Sequence, residues 1–165
     1  MREPTVKVDP HKSSLGEMDA NVLALLVYLA PIILAWIPVI KYLAWAIPLV
    51  IFFIEKKSNF VRFHSMQAIL LSVVGAIIVF IISVIILGAV TASYYYSYGG
   101  WGAIGLVTAL ALIVTLVIVV FEIIAMVNAY GYKEYRIPLL GNLAAKFSGK
   151  IATDTEIKND TGSNK

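Results

Sequence analysis

Hydrophobic residues dominate two long stretches of the chain and a third stretch that prolines interrupt. Residues 65–90 and 103–129 are almost continuously apolar, and each is long enough as a helix to cross a hydrocarbon core about 30 Å thick. Residues 21–54 are also apolar but contain three prolines, each of which removes a backbone donor and disfavours helix just before it. We therefore predict two helices there, at about 21–37 and 41–54, the second short for a span or re-entrant.

The composition places this pattern in a membrane. Hydrophobic residues make up 60% of the 165 residues, and charged residues make up only 14%, against about 25% charged in ordinary soluble domains. A soluble chain of this length could not cover so much apolar surface. We therefore predict an all-α integral membrane protein with four transmembrane helices, a multi-pass protein of the cell membrane.

Basic residues decide the predicted orientation. Of the 13 lysines and arginines, three precede the first helix, three lie in residues 55–64 and six follow the last helix. With four helices these three groups share one side, and the positive-inside rule makes that side cytoplasmic. With three helices, Lys41 would lie within the bilayer, which costs at least about 2.5 kcal/mol. We therefore expect both termini in the cytoplasm.

Two polar tails complete the predicted organisation. The first 20 residues mix acids and bases and lack the apolar segment of a cleavable signal peptide. After the last helix, leucines and lysines near Pro138 suit a segment lying on the membrane surface. The predicted parts are a polar tail (1–20), a four-helix membrane domain (21–130), an interfacial segment (131–147) and a disordered polar tail (148–165).

The connection between the third and fourth helices is rich in aromatic residues. Residues 91–102 carry four tyrosines and one tryptophan, and the adjacent glycines Gly99 and Gly100 favour a turn. Tyrosine and tryptophan accumulate at the level of the lipid headgroups. We therefore predict a short interfacial loop over these residues.

Small and hydroxyl-bearing residues recur on one side of the third and fourth helices. Spacings of three and four residues place Thr108 and Thr115 on one stripe, and Ser72 and Ala76 lie on a corresponding stripe of the third helix. Such residues allow helices to approach closely and to hydrogen-bond with one another. We expect the two helices to pack antiparallel along these stripes.

Glu122 is the one carboxylate in the apolar part of the fourth helix. An ionisable residue in a span usually faces the bundle interior and is a candidate functional residue. Its expected partners enter the membrane from the same side: Arg62, His64 and Gln67. Two roles remain open, a structural pair between helices and a contact in transport or proton relay.

The sequence carries no catalytic pattern. It contains no cysteine, and His64 has no second histidine or suitably spaced carboxylate with which to bind a metal. Phosphate-binding loops and nucleophile elbows are absent from the sequence. The net charge of +3 is explained by lysines that flank membrane spans, without a nucleic-acid recognition module. We expect no enzymatic activity, cofactor, metal or nucleic-acid partner.

Two motifs resemble a known family. They are Asn-Phe-Val-Arg-Phe-His-Ser-Met-Gln-Ala at residues 59–68, and a glycine, isoleucine-proline and glycine pattern within residues 129–141. Both are similar to a small prokaryotic membrane-protein family of unknown function, related to the twenty-kilodalton Tic subunit of chloroplast protein import. The resemblance implies a four-helix membrane domain with both termini cytoplasmic or stromal. It also implies motif positions at His64, Gln67, Pro138 and Gly141.

Two functional hypotheses follow from these features. The leading one is a non-enzymatic subunit or scaffold of a membrane assembly, with protein translocation as one candidate setting, because four short helices with few polar groups make a poor stand-alone transporter. Its partners would be the lipid bilayer and other membrane proteins or further copies of the chain. The alternative is a small oligomeric transporter or channel with Glu122 in its path.

Overall fold

The computed structural model describes residues 5–40, 43–96 and 101–148, apart from the side chains of residues 96, 101 and 103. Three parts of the sequence-based prediction lie outside these described residues. They are the placement of Lys41, the turn at Gly99 and Gly100, and the disordered tail from residue 149 onward.

The described chain is mainly helical, as the apolar runs predict. Helix α1 spans Ala20–Leu34, α2 spans Ile47–Ile54, α3 spans Asn59–Tyr96 and α4 spans Trp101–Tyr130. Among the described residues, α3 and α4 are long and apolar enough to cross a membrane, whereas α1 and α2 are shorter. Helices therefore occupy all four predicted positions, and two of them have the length of a span.

Prolines shape the first two helices. Pro31 lies inside α1, which ends three residues later at Leu34. A short 3₁₀ turn over Ala44–Ala46 leads into α2, where Pro48 occupies the first turn, the position at which proline's missing N–H removes no helical hydrogen bond. Helices α1 and α2 pack against one another, so the chain folds back on itself within residues 20–54.

Helix α3 begins earlier than the apolar run predicts. The Ser58 hydroxyl accepts a hydrogen bond from the Val61 amide at 3.2 Å, as an N-capping residue does. This cap allows residues 59–64, which mix polar and apolar side chains, to form the first turns of α3, six residues before the predicted start.

The predicted loop over residues 91–102 is wrong at both ends. Residues 91–96 continue α3, and α4 already begins at Trp101. The hydroxyls of Thr91 and Ser93 donate to the carbonyls of Leu87 and Ala89, each at 2.8 Å. Because these hydroxyls are satisfied within the helix, the polar composition does not interrupt it.

The segments flanking the helices form a two-stranded antiparallel sheet that the sequence did not predict. Strand β1 spans Thr5–Lys7 and strand β2 spans Lys133–Tyr135, with Val6 opposite Glu134. Beyond β2, residues 140–148 form a further short helix, α5. The described N-terminal residues are therefore held against the segment that follows α4.

The chain divides into two compact units. One is residues 71–121, in which Leu71 is the only described residue that is buried. The other contains the remaining residues and the core of the protein. Its largest fully buried side chains include Tyr28, Phe60 and Phe63, together with polar side chains.

Candidate functional site

A buried carboxylate holds the N-terminal segment to the turn between α2 and α3. Glu55 is fully buried, and its two oxygens accept from the Ser14 amide at 3.1 and 3.0 Å. The Ser14 hydroxyl donates to Oε1 at 2.8 Å, and the amides of Lys57 and Ser58 donate to the same oxygen at 2.8 and 2.9 Å. Burial by itself raises the pKa of Glu55, but these hydrogen bonds outweigh it and hold the pKa below its usual value.

A second link joins the same two segments through a histidine. His11 donates from Nδ1 to the Asp9 carbonyl at 2.8 Å, and its Nε2 is hydrogen-bonded to the Ser58 hydroxyl at 2.7 Å. The Ser58 oxygen also caps α3, so this histidine is coupled to the helix start. The ring of Phe60 stacks on the ring of Tyr132, with the two centroids 5.8 Å apart.

A third set of side chains connects α1 with α3. The Tyr28 hydroxyl accepts from Gln67 Nε2 at 3.2 Å and lies 3.1 Å from His64 Nδ1. Because the hydroxyl accepts from Gln67, its own proton is available to His64 Nδ1. All three side chains are fully buried, and the ring of Phe60 lies 4.7 Å from that of His64.

Gln67 also fixes the segment that follows α4. Its Nε2 donates to the Tyr135 carbonyl at 3.2 Å, and its Oε1 accepts from the Ile137 amide at 3.3 Å. One amide side chain on α3 thus holds the backbone on both sides of residue 136. The two sequence motifs, at residues 59–68 and 129–141, meet at this contact.

The motif residues Pro138 and Gly141 shape the turn beyond that contact. The Gly141 amide donates to the Ile137 carbonyl at 2.7 Å, and the Leu140 amide donates to the Pro138 carbonyl at 2.9 Å. A Cβ at Gly141 would lie 2.5 Å from Arg136 Cα, so only glycine allows this close approach.

We name six of the buried or half-buried residues that make these contacts the polar cluster: Ser14, Tyr28, Glu55, Ser58, His64 and Gln67. The sequence predicted His64 and Gln67 as candidates and missed the rest. The signal available for Glu55 was a lone acid beside two lysines at the end of an apolar run. No local pattern indicates Ser14 or Tyr28, whose partners are 41 and 36 residues away.

Glu122 and Arg62 do not pair as the sequence suggested. Arg62 places its guanidinium 4.9 Å from the centroid of the Phe52 ring, a cation–π contact. Glu122 is half-buried on α4 and lies within electrostatic range of the Tyr28 hydroxyl. Among the described residues, Glu122 forms no ion pair or hydrogen bond with the three partners proposed for it, and the Tyr28 hydroxyl is instead the group that contacts both His64 and Gln67.

The four residues expected to pack helices together lie on exposed positions. Ser72, Ala76, Thr108 and Thr115 are all exposed, and the Thr108 hydroxyl donates to the Ile104 carbonyl of its own helix at 2.8 Å. Within residues 71–121 the two helices instead line a cavity of about 240 Å³ with branched and small side chains. Its walls include Ile78, Ile82, Val107, Ala111 and Val114. Near the C-terminal end of α4, by contrast, the small residues Ala125 and Ala129 of this stripe are buried.

The polar cluster connects distant segments of the chain by hydrogen bonds. Its donors and acceptors are largely paired with one another, and within the described residues no three histidine or acidic side chains are grouped as metal ligands. Four buried polar atoms in the described chain have no hydrogen-bond partner: Arg62 Nε, His64 Nε2, Ser65 Oγ and Arg136 Nε. The geometry joins α1, the α2–α3 turn, α3 and the segment after α4 into one unit.

Comparison with known proteins identifies related chains. Residues 19–144 match the model of the Magnetosome magnetite crystal formation protein family. A UPF0132 membrane protein of Methanocaldococcus jannaschii is 25% identical over 105 residues, which cover 64% of this chain. The chain spans 62% of the length of that relative. No solved structure matches the sequence.

These matches correct the resemblance that the two motifs suggested. The magnetosome family model covers both motifs and the relative is a UPF0132 membrane protein, with nothing that points to the Tic subunit of chloroplast import. The kinship with that subunit was therefore wrong, although the motifs do belong to a membrane-protein family. The motif residues themselves serve a packing role that the structure makes visible, in the contact of Gln67 with residues 135–137.

Proposed function

The chain belongs to the Magnetosome magnetite crystal formation protein family, and from that premise we propose that it is a non-enzymatic subunit or scaffold of a membrane assembly. The family description names magnetite crystal formation, whereas the relative is described only as a membrane protein. The membrane in the relative's description agrees with the two long apolar helices, α3 and α4. The membrane location is the property that we extend to this chain, and we place the chain in the cell membrane as a multi-pass protein.

The observation that carries the proposal is the contrast between the two units of the chain. In the most apolar stretch of α3 and of α4, only 6% of the residues are buried by the chain itself. The polar cluster, by contrast, is almost completely enclosed. Helices that bury so little surface within their own chain leave long faces for lipid and for other helices, and the exposed Thr108 and Thr115 allow close helix approach.

The contacts at the polar cluster support a topology with both termini on one side. The bond between Ser14 and Glu55 brings the start of α1 to the end of α2, so residues 20–54 form a hairpin that returns to the side it left. The pairing of β1 with β2 places the N-terminal segment beside the segment after α4. The concentration of basic residues in these segments supports a cytoplasmic location. Helix α2, with eight residues, fits a short or re-entrant element.

Blue-native electrophoresis after mild solubilisation tests the scaffold proposal. We expect the wild-type protein to migrate in a complex, and we expect Thr115→Leu to weaken that complex because a larger side chain prevents close helix approach. Leu116→Ile is the matched control, since it changes an exposed neighbour without adding volume. A protein that migrates as a monomer in both wild-type and variant forms would refute the proposal.

A small transporter is the second candidate, and Glu122 is the observation that favours it. Its carboxylate is half-buried in a long apolar helix and forms no hydrogen bond among the described residues. Proteoliposome flux compared between wild-type protein and Glu122→Gln separates the two functions. The scaffold proposal predicts no flux in either protein and an unchanged native complex, whereas flux that Glu122→Gln abolishes would favour transport.

A further inference from the structure

Helix α5 presents three distinct faces. Positions four residues apart lie above one another on a helix. Ala144 and Ser148 form a buried face, at 0% and 5% exposure. Leu143 and Phe147 form an apolar face that is open, at 41% and 51% exposure. The third face is polar, and it carries the exposed residues Asn142 and Lys146.

The turn before α5 extends the open apolar face. Leu139 is 89% exposed and adopts a left-handed backbone conformation with φ of 67°. That conformation is unfavourable for a residue with a side chain, and it is maintained here by the bond from Gly141 to Ile137. Three large apolar side chains, at 139, 143 and 147, are thereby left uncovered on one short segment.

The position and charge of this segment indicate what covers it. Helix α4 has the length and composition of a span and ends at Tyr130, and Ile137 and Ala144 are buried in the compact unit that contains this helix end. Residues 131–148 contain three basic residues and one acidic residue. Of the basic residues, Lys133 and Lys146 are exposed. An apolar face flanked by lysines at the end of a span is typical of a segment that lies in an anionic lipid surface.

We propose that α5 and the preceding turn bind an anionic leaflet, with Leu139, Leu143 and Phe147 in the boundary between headgroups and acyl chains. Lys133 and Lys146 then contact lipid phosphates, while Ala144 and Ser148 stay against the protein. This inference does not rest on the scaffold proposal, because a monomer would present the same face to lipid.

Because the chain contains no cysteine, single-cysteine labelling tests the proposal in the full-length protein. Phe147→Cys reports on the apolar face, and Asn142→Cys is the control on the polar face of the same helix. Each variant is labelled with an environment-sensitive fluorophore in nanodiscs, made either of phosphatidylcholine alone or of phosphatidylcholine with phosphatidylglycerol. Lipids with nitroxide-labelled acyl chains serve as quenchers.

We expect a blue-shifted, lipid-quenched signal at position 147 and a water-exposed signal at position 142 in the anionic nanodiscs. Adding Lys146→Gln to the Phe147→Cys protein should lower the ratio of inserted to uninserted label about fivefold on anionic lipid, with no change on phosphatidylcholine. Equal, water-exposed signals at both positions would overturn the proposal. So would a blue-shifted label that nitroxide lipids do not quench, because a protein surface would then cover the helix.

Discussion

Replacing Glu55 with glutamine should loosen the N-terminal segment from the α2–α3 turn. The carboxylate accepts from four donors: the Ser14 amide, the Ser14 hydroxyl, and the amides of Lys57 and Ser58. Hydrogen bonds to a charged acceptor contribute about 1.5–3 kcal/mol each, against about 0.5–1.5 kcal/mol for neutral pairs. Glutamine keeps one acceptor oxygen but loses the charge and places an amide group against the Ser14 N–H. A net loss of about 2 kcal/mol in local stability follows.

Hydrogen exchange of the Ser14 amide, in the full protein in nanodiscs, measures this loss. A local loss of about 2 kcal/mol lowers the protection factor roughly 30-fold. Glu17→Gln is the matched control, because it makes the same chemical change at an exposed acid of the same segment. If the Ser14 amide has the same protection factor in Glu55→Gln, in the wild type and in the control, the role assigned to the carboxylate is refuted.

Three further predictions concern the same unit. Because the pKa of Glu55 is depressed in the folded protein, its stabilisation is present at neutral pH and lost as the pH falls below about 4, which hydrogen exchange corrected for intrinsic rates will show. Tyr28→Phe removes the hydroxyl that contacts His64 Nδ1 and one N–H of Gln67, and it should lower the free energy of unfolding by about 1–3 kcal/mol, measured by thermal denaturation in detergent. No change would show that the hydroxyl is dispensable. Gly141→Ala places a Cβ 2.5 Å from Arg136 Cα and should destabilise the segment by about 1–3 kcal/mol. At Gly75 an added Cβ would have nothing within 4 Å, so Gly75→Ala should be neutral or slightly stabilising. Equal effects of Gly75→Ala and Gly141→Ala on protease resistance would contradict the packing argument.

Hydrophobic patterning predicted the helices well because a helix that faces lipid is apolar along one continuous segment of the sequence. The positions of α3 and α4 follow directly from their apolar runs. Their ends did not follow, since Ser58 caps α3 through a single side chain and the hydroxyls of Thr91 and Ser93 are satisfied within the helix. Capping and back-bonding depend on individual contacts that average hydropathy does not represent.

The candidate site was predictable only in part. His64 and Gln67 stand out as polar residues at the start of a span, and both belong to the polar cluster. Their actual partner, Tyr28, comes from a different helix, and the residues that Gln67 binds lie about 70 positions later in the chain. Such pairing depends on how the helices fold together. For the same reason Glu122, the residue that the sequence emphasised most, does not form the pairs expected of it.

Crosslinking within the native membrane tests the central proposal most directly. A photoreactive residue at Leu112, which is 66% exposed on α4, probes the face assigned to other helices. The same residue at Glu17, in the exposed N-terminal segment, is the control for unspecific capture. The scaffold proposal predicts discrete protein adducts from position 112 that position 17 does not give. Adducts with lipid alone from position 112 would contradict it.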